Sequence, residues 1–338
     1  MGGQHLVIGA SGFLGSQVTR LLVERGERVR VMVRESSSRK ALDGLDVEYV
    51  VGELDDTAAL GAAMADCDAV YYCVVDARPW LRDPAQLFHT NVEVLRTVLE
   101  VAARADLERF VFTSSVATLP IGDEVLAEDA GPHNWSHLGG AYVRSRVEAE
   151  DLVLRYADER GLPTVAMCVA NTYGPGDYLP TPHGGFIAAA ALGKMPVYVR
   201  GAGAEVVDIR DAAQALVLAG ERGTPGERYI VSAGWRSTRD LHDLAARLAG
   251  RDPARYGLSP ALLAVAGFLG ECVSAVTRRD VRVTRTTMRL MHTMTPLDHS
   301  KAERDLGWRP RPIDETIADA VAFFNHRRRQ RRQQRSAQ

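Results

Sequence analysis

The sequence predicts an α/β protein: a doubly wound parallel sheet followed by a smaller C-terminal α/β lobe. Through the first half, short β-branched runs alternate with longer amphipathic stretches, the pattern of a parallel sheet with crossover helices. The first strand-helix-strand unit closes within about thirty residues. A length of 338 residues with 46% hydrophobic content sustains a well-buried core.

Residues 5–8 read as the first strand, 13–25 as the first helix stopped by Gly26, and 28–33 as the second strand. Strands follow at 47–51, 69–74 and 109–112, with helical stretches at 58–65 and 92–105 between them. A long helix at 142–160 leads to a strand at 164–169. Gly174, Pro175 and Gly176 then turn the chain out of the sheet. The expected organisation is a nucleotide-binding domain over 1–175, a mainly substrate-binding lobe over 176–326 whose segment 206–220 packs back on the sheet, and a basic, frayed tail over 327–338. The apolar stretch 258–276 is interrupted by Ser259, Pro260 and Glu271, falls short of the ~20 residues of a spanning helix, and is expected to be a core or pocket-covering helix, with contact at a membrane surface the minority alternative.

A net charge of −2 and a pI near 6.5 provide no general attraction to nucleic acid or anionic membrane. Cys67, Cys73, Cys168 and Cys272 lack CxxC spacing, which fits neither a zinc site nor a disulfide framework. His133 and His137 share helical spacing without a third ligand, so no metal is expected. The N-terminus enters an apolar strand directly, with no signal-peptide pattern, and a reducing cytoplasm is the expected location.

The most specific motif is GASGFLG, from Gly9 to Gly15, placed between a strand and a helix. Gly9 permits the tight turn, Gly12 lets the backbone approach a pyrophosphate, and Gly15 lets the helix pack on the strand, leaving N–H groups free for phosphate. Ser11, Phe13 and Leu14 belong to the same loop. This is the pattern of a Rossmann fold. At the end of the second strand stands Arg34, where an NAD-preferring protein carries an acid for the ribose hydroxyls; with Ser36, Arg39 or Lys40 it is placed to clasp a 2′-phosphate. NADP(H) is favoured over NAD(H).

GASGFLG, VGELDD, CDAVYYCVV, NVEVLRTVLEVAARADLERFVFTSS and YGPGD together resemble the extended short-chain dehydrogenase/reductase family, within the NAD-dependent epimerase/dehydratase superfamily. YVRSRVEAEDLVLRYADERGLP, PTPHGG, GKMPVYV and ERDLGWRPRP are most similar to its dihydroflavonol-reductase-like and hopanoid-associated epimerase-like branch. The resemblance implies that Glu53 and Leu54 lie beside the adenine. It puts Cys73, Val74 and Val75 along the cofactor, and Val169, Ala170 and Asn171 near the nicotinamide. It also implies a homodimer formed through the helices carrying Val92 and Tyr142. Ile8 stands in place of the usual Thr, and Val74-Val75 in place of a common Ala pair.

The resemblance further implies a YxxxK motif, in which tyrosine transfers a proton, lysine assists it, and a serine or threonine polarises the carbonyl. Here the motif reads Tyr142, Val143, Arg144, Ser145, Arg146. The i, i+4 spacing puts Tyr142 and Arg146 on one helix face. Arginine effectively never deprotonates, so a proton relay would run through water or a ribose hydroxyl. Three explanations stand open: a functional substitution in a chain whose only lysines are Lys40, Lys194 and Lys301, a weak relative, or a binding protein without chemistry. The hydroxyl partner is expected from Thr113, Ser114 and Ser115, with Ser115 ahead of Ser114.

Nucleotide-sugar members of the family usually carry an arginine before the strand at 206–209, where this chain has Gly203, Ala204 and Glu205. Small residues and an acid are poor diphosphate ligands, unless Arg200 or Arg210 compensates. Expected pocket walls are Arg78, Trp80, Leu119, His133, Trp135, Tyr178, His183 and Phe186, an apolar and aromatic set. The leading reading is an NADP(H)-dependent ketoreductase or alcohol dehydrogenase acting on an apolar ketone, aldehyde or secondary alcohol. A sugar epimerase or dehydratase, and a dinucleotide-binding protein without catalysis, are the alternatives. The expected partner is a small-molecule substrate, with no nucleic acid and no stable membrane insertion.

Overall fold

The computed structural model describes residues 3–178, 180–293 and 295–336. The chain runs β1 (Gln4–Ile8), α1 (Phe13–Glu24), β2 (Arg28–Val33), β3 (Glu48–Val51), α2 (Thr57–Met64), β4 (Ala69–Tyr72), α3 (Ala85–Phe88), α4 (Val94–Ala102), β5 (Arg109–Ser115), α5 (Ser136–Arg160) and β6 (Thr164–Val169). It continues through β7 (Asn171–Tyr173), α6 (Pro182–Ala191), β8 (Val197–Val199), β9 (Gly203–Asp208), α7 (Ile209–Arg222), β10 (Arg228–Val231), β11 (Trp235–Ser237), α8 (Thr238–Leu248) and β12 (Tyr256–Leu258). Four helices complete it: α9 (Pro260–Thr277), α10 (Arg285–Leu290), α11 (Ser300–Leu306) and α12 (Ile313–Ser336).

The central sheet has the order β10-β6-β5-β4-β1-β2-β3 and all its pairs are parallel. Strand alternation sends Leu6, Ile8, Val70, Tyr72, Phe110 and Phe112 to the face under α2, α4 and α5. Val7, Val31, Tyr71, Val111 and Val165 face α1 and α7. Burying each such side chain is worth about 1.5–3 kcal/mol, which is why parallel strands covered on both sides read as continuous apolar runs. Strand order reverses between β1 and β4, and that crevice opens at the carboxyl edge.

Smaller sheets, β11-β9-β7 and β12-β8, belong to the second lobe with α6 and α8. α7 packs back on α1, whereas β9 joins β7 and β11 rather than the central sheet. Residues 228–231, which the sequence assigns to the second lobe, supply the outer strand of the first through Arg228↔Ala166.

Two expectations are corrected. Residues 327–336 continue α12 rather than fraying, because arginine and glutamine are good helix formers and Arg327 anchors the turn: its Nη1 donates to Tyr178 O at 2.9 Å and its guanidinium covers the Tyr178 ring. The apolar stretch after residue 258 is helix α9, but only 17% of it is buried, so it is not a core helix. It packs on α10 through one narrow strip.

α11 and the turn after it are clamped to α7. Trp308 is fully buried, its Nε1 donates to Asp211 O at 2.8 Å, and Arg311 pairs with the Asp211 carboxylate at 2.9 Å. Trp308→Ala is expected to cost about 3–5 kcal/mol in urea unfolding; a loss below about 1 kcal/mol would show that the clamp does not hold α11 to α7.

Candidate active site

The turn between β1 and α1 is held by contacts in which any side chain would collide. A β-carbon at Gly15 would lie 2.3 Å from Gly9 O, and Gly9 itself has φ +85°. Gly12 caps α1 without a side-chain hydrogen bond and is exposed, so the first-turn amides remain open toward the crevice. Phe13 and Gln17 approach Gly176, joining the glycine turn to the YGPGD turn. Cys73 and Val74 lie against Gly9; Cys73 accepts from Thr113 Oγ1 at 3.6 Å, and burial pushes its thiol up to about 12, leaving a wall rather than a nucleophile.

At the end of β2, Arg34, Arg39 and Lys40 are exposed. Among the described residues no ion pair engages the Arg34 guanidinium, while Arg39 stacks on Tyr49 at 4.9 Å and Lys40 lies 5.9 Å from the Tyr178 ring. Glu53 is exposed and Leu54 half-buried at the end of β3. Val75 is exposed after β4.

β5 delivers its last hydroxyls to different surroundings. Ser114 is buried and donates to Glu150, which also receives Thr118 Oγ1 at 2.9 Å and Arg228 Nη1 at 3.1 Å. Ser115 sits half-buried at the strand end, where its Oγ accepts from Ala117 N at 3.2 Å. Alternation therefore commits Ser114 to the interior and leaves Ser115 at the edge, paired in register with Val169 beside Ala170 and Asn171.

Tyr142 is half-buried two residues after Gly140, whose φ of +67° interrupts α5 before the helix resumes. Arg146, one turn on, is 1% exposed. Its Nη2 donates to Thr113 O at 2.6 Å and its guanidinium lies 5.1 Å from the Phe112 ring, while Nε and Nη1 have no hydrogen-bond partner. Burial pulls this guanidinium down. Orphaned buried donors are costly, and they fit a group that brings hydroxyl acceptors, as the open amides of α1 fit one that brings phosphates.

Sequence reading missed Asn91. It lies in a single π-helical turn, accepts from Asp76 N at 2.8 Å, and donates to Asp76 O and Ser145 Oγ, tying the β4 loop to the helix of Tyr142. An asparagine among apolar positions of a helix was the available signal. Glu150 and Arg228 were missed because their pairing is separated by 78 residues.

The predicted pocket walls divide. Arg78 is held by Asp76 at 2.8 Å and Trp80 lies under Arg282 at 5.4 Å, both beside the β4 loop. Tyr178 packs on Phe323. His183 is exposed beside Tyr173, and Phe186 faces His242 at 5.7 Å. Leu119 and Trp135 do not form pocket walls: both are fully buried, and Trp135 Nε1 donates to Leu119 O at 2.8 Å, because the indole finds its polar partner in the core. His133 instead lines a cavity of about 590 Å³ with Glu150, Asp151 and Arg228, which neither Ser115 nor Tyr142 borders.

A glycine turn at the switch point of a parallel sheet, with a tyrosine and a serine on the same edge, defines a dinucleotide-dependent enzyme of the oxidoreductase type. The chain belongs to the NAD-dependent epimerase/dehydratase family, whose model matches residues 5–232. It is 33% identical over 327 residues to a putative dihydroflavonol 4-reductase of Synechocystis sp., covering 95% of this chain and 94% of that one. It is 31% identical over 325 residues to sterol demethylase protein B of Methylococcus capsulatus, covering 95% and 98%. The solved structure of gox2253 matches with a TM-score of 0.84 and 34% identity, over 96% of this chain and 98% of that one.

Burial holds His242 down to about 4, and its Nδ1 has no partner. An unfolded imidazole takes its proton near pH 6.5, so stability from this group is present above that pH and lost as pH falls toward about 4. His242→Leu is expected to lose on the order of 2 kcal/mol less than the natural chain between pH 7 and 5 in urea titrations. Equal losses would show that the ring protonates without penalty.

Proposed function

We propose that the protein is an NADP(H)-dependent ketoreductase or alcohol dehydrogenase acting on an apolar ketone, aldehyde or secondary alcohol. The observation that carries this reading is Glu205. It belongs to the stretch Gly203, Ala204 and Glu205 where, by the family resemblance, nucleotide-sugar members usually carry an arginine; it is 1% exposed, receives Ser232 Oγ and Leu297 N, and is held above the usual carboxylate range by burial. A buried acid used as an internal brace offers nothing to a diphosphate. Arg210 does not compensate, since it is held by Asp208 at 2.7 Å and Asp319 at 2.6 Å. The names of the two relatives, a reductase and a sterol-modifying protein, agree with an apolar carbonyl substrate.

When bound, the nicotinamide supplies or accepts a hydride at the carbonyl carbon. Gly9 to Gly15 would hold the pyrophosphate on the amides of α1, and Arg34 with Lys40 would meet the 2′-phosphate. Glu53 and Leu54 would border the adenine, with Val74, Val75, Val169, Ala170 and Asn171 toward the nicotinamide. Ser115 Oγ donates to the substrate oxygen and Tyr142 Oη gives it the proton, taking it back in the reverse direction. Arg146 keeps a fixed positive charge next to that phenol and directs its free N–H groups to the ribose hydroxyls.

Arg34→Asp is expected to shift the NADPH:NADH affinity ratio at least about tenfold toward NADH in nicotinamide-fluorescence titrations at fixed salt. An unchanged ratio removes Arg34 from phosphate recognition. With NADPH and a panel of apolar ketones, Tyr142→Phe should lower turnover about 10²- to 10⁴-fold, whereas Arg146→Lys should stay within about tenfold. A rise of orders of magnitude in Arg146→Lys would identify the natural chain as a weak catalyst, and net sugar conversion without cofactor turnover would favour an epimerase.

A further inference from the structure

Helix α9 presents an apolar surface much larger than its packing requires. Leu263, Gly267 and Ser274 form the buried strip, and the fit along it is tight: β-carbons at Gly267 and Gly270 would lie 2.7 Å from Arg285 N and 1.8 Å from Val283 O. On the remaining surface Leu262, Val265, Phe268, Leu269, Val273 and Val276 are each more than half exposed. A helix of 18 residues is about 27 Å long, and this exposed face runs its whole length. Monomeric surfaces rarely leave contiguous apolar patches of this extent uncovered.

We infer that α9 and the arginines that follow it form a docking face for an anionic lipid bilayer, with the helix lying in the plane of the interface. The charge around the helix selects this occupant. From 260 to 293 five arginines (Arg278, Arg279, Arg282, Arg285 and Arg289) stand against Glu271 and Asp280 alone, in a chain whose overall charge is −2. Arg278 and Arg279 are exposed at the helix end and, among the described residues, enter no ion pair. A second copy of the chain would bring the same positive rim against this one, whereas anionic headgroups complement it. The packing favours an in-plane helix over a spanning one, although α9 is long and apolar enough to cross: Glu271, midway along it, is bound to Arg285 at 2.7 Å, and the buried strip holds the helix lengthwise against α10. The inference requires no assignment of substrate. It does set the docking face next to the candidate site, since α10 abuts Gly140 through Thr286 and Arg282 covers Trp80.

The test is co-sedimentation of the full-length protein with vesicles of phosphatidylcholine alone and of phosphatidylcholine with phosphatidylglycerol. Partition into the anionic vesicles is expected to exceed that into neutral ones about tenfold, and to fall as salt shortens the Debye length to about 3 Å at 1 M. Leu269→Asp and, separately, Val276→Asp should each lower partition about tenfold while circular-dichroism melts stay unchanged, Val276 being the most exposed of the set. Sedimentation velocity runs beside it. No partition into anionic vesicles, equal partition by both folded variants, or a dimer that both variants dissolve would each overturn the inference, the last by giving the face to a second copy.

Discussion

The approach of α1 to β1 at the glycine turn constrains everything that happens at the carboxyl edge. With Gly15 so close to Gly9 O that no β-carbon fits, the helix axis points its open amides at the crevice between β1 and β4. A bulkier residue would tilt α1 away, and with it Phe13 and Gln17, which carry the contact to Gly176 and so to the second lobe. The parallel sheet then delivers the ends of β2, β4, β5 and β6 to that same edge, because every crossover returns the chain in one direction.

Within that frame the polar groups are arranged by burial. Arg146 is packed between a peptide carbonyl and an aromatic ring, a setting that suits a flat, weakly hydrated guanidinium better than a compact ammonium. Its fixed position, together with the Asn91 bridge from Asp76 to Ser145, leaves little freedom to the helical turn that carries Tyr142. Ser114 and Ser115 show how one residue of register divides the end of a strand: the first closes a buried network around Glu150, the second stays at the edge.

The second lobe turns from charge toward apolar surface. Glu205 is spent on holding Ser232 and Leu297, and Arg210 on Asp208 and Asp319, while near the YGPGD turn Tyr173 meets His183 and Phe186 meets His242. The outward face of α9 continues the same character to the surface.

The sequence by itself determined the layered α/β class, most strand positions, the glycine turn and the tyrosine helix, because those are written in periods of 2 and 3.6 residues and in glycines with local steric duties. It also carried the two departures of interest, Arg34 and Arg146, since each is a change of residue type at a position fixed by spacing. Only the tertiary structure decided that β10 completes the central sheet, that Glu150 meets Arg228, that Leu119 and Trp135 belong to the core while His133 faces another cavity, and that α9 lies outside. A strand edge, a buried pair and a helix face each acquire their meaning from partners distant in the chain. Hydrophobic patterning records how much surface an element must cover, and only the assembled fold decides what covers it.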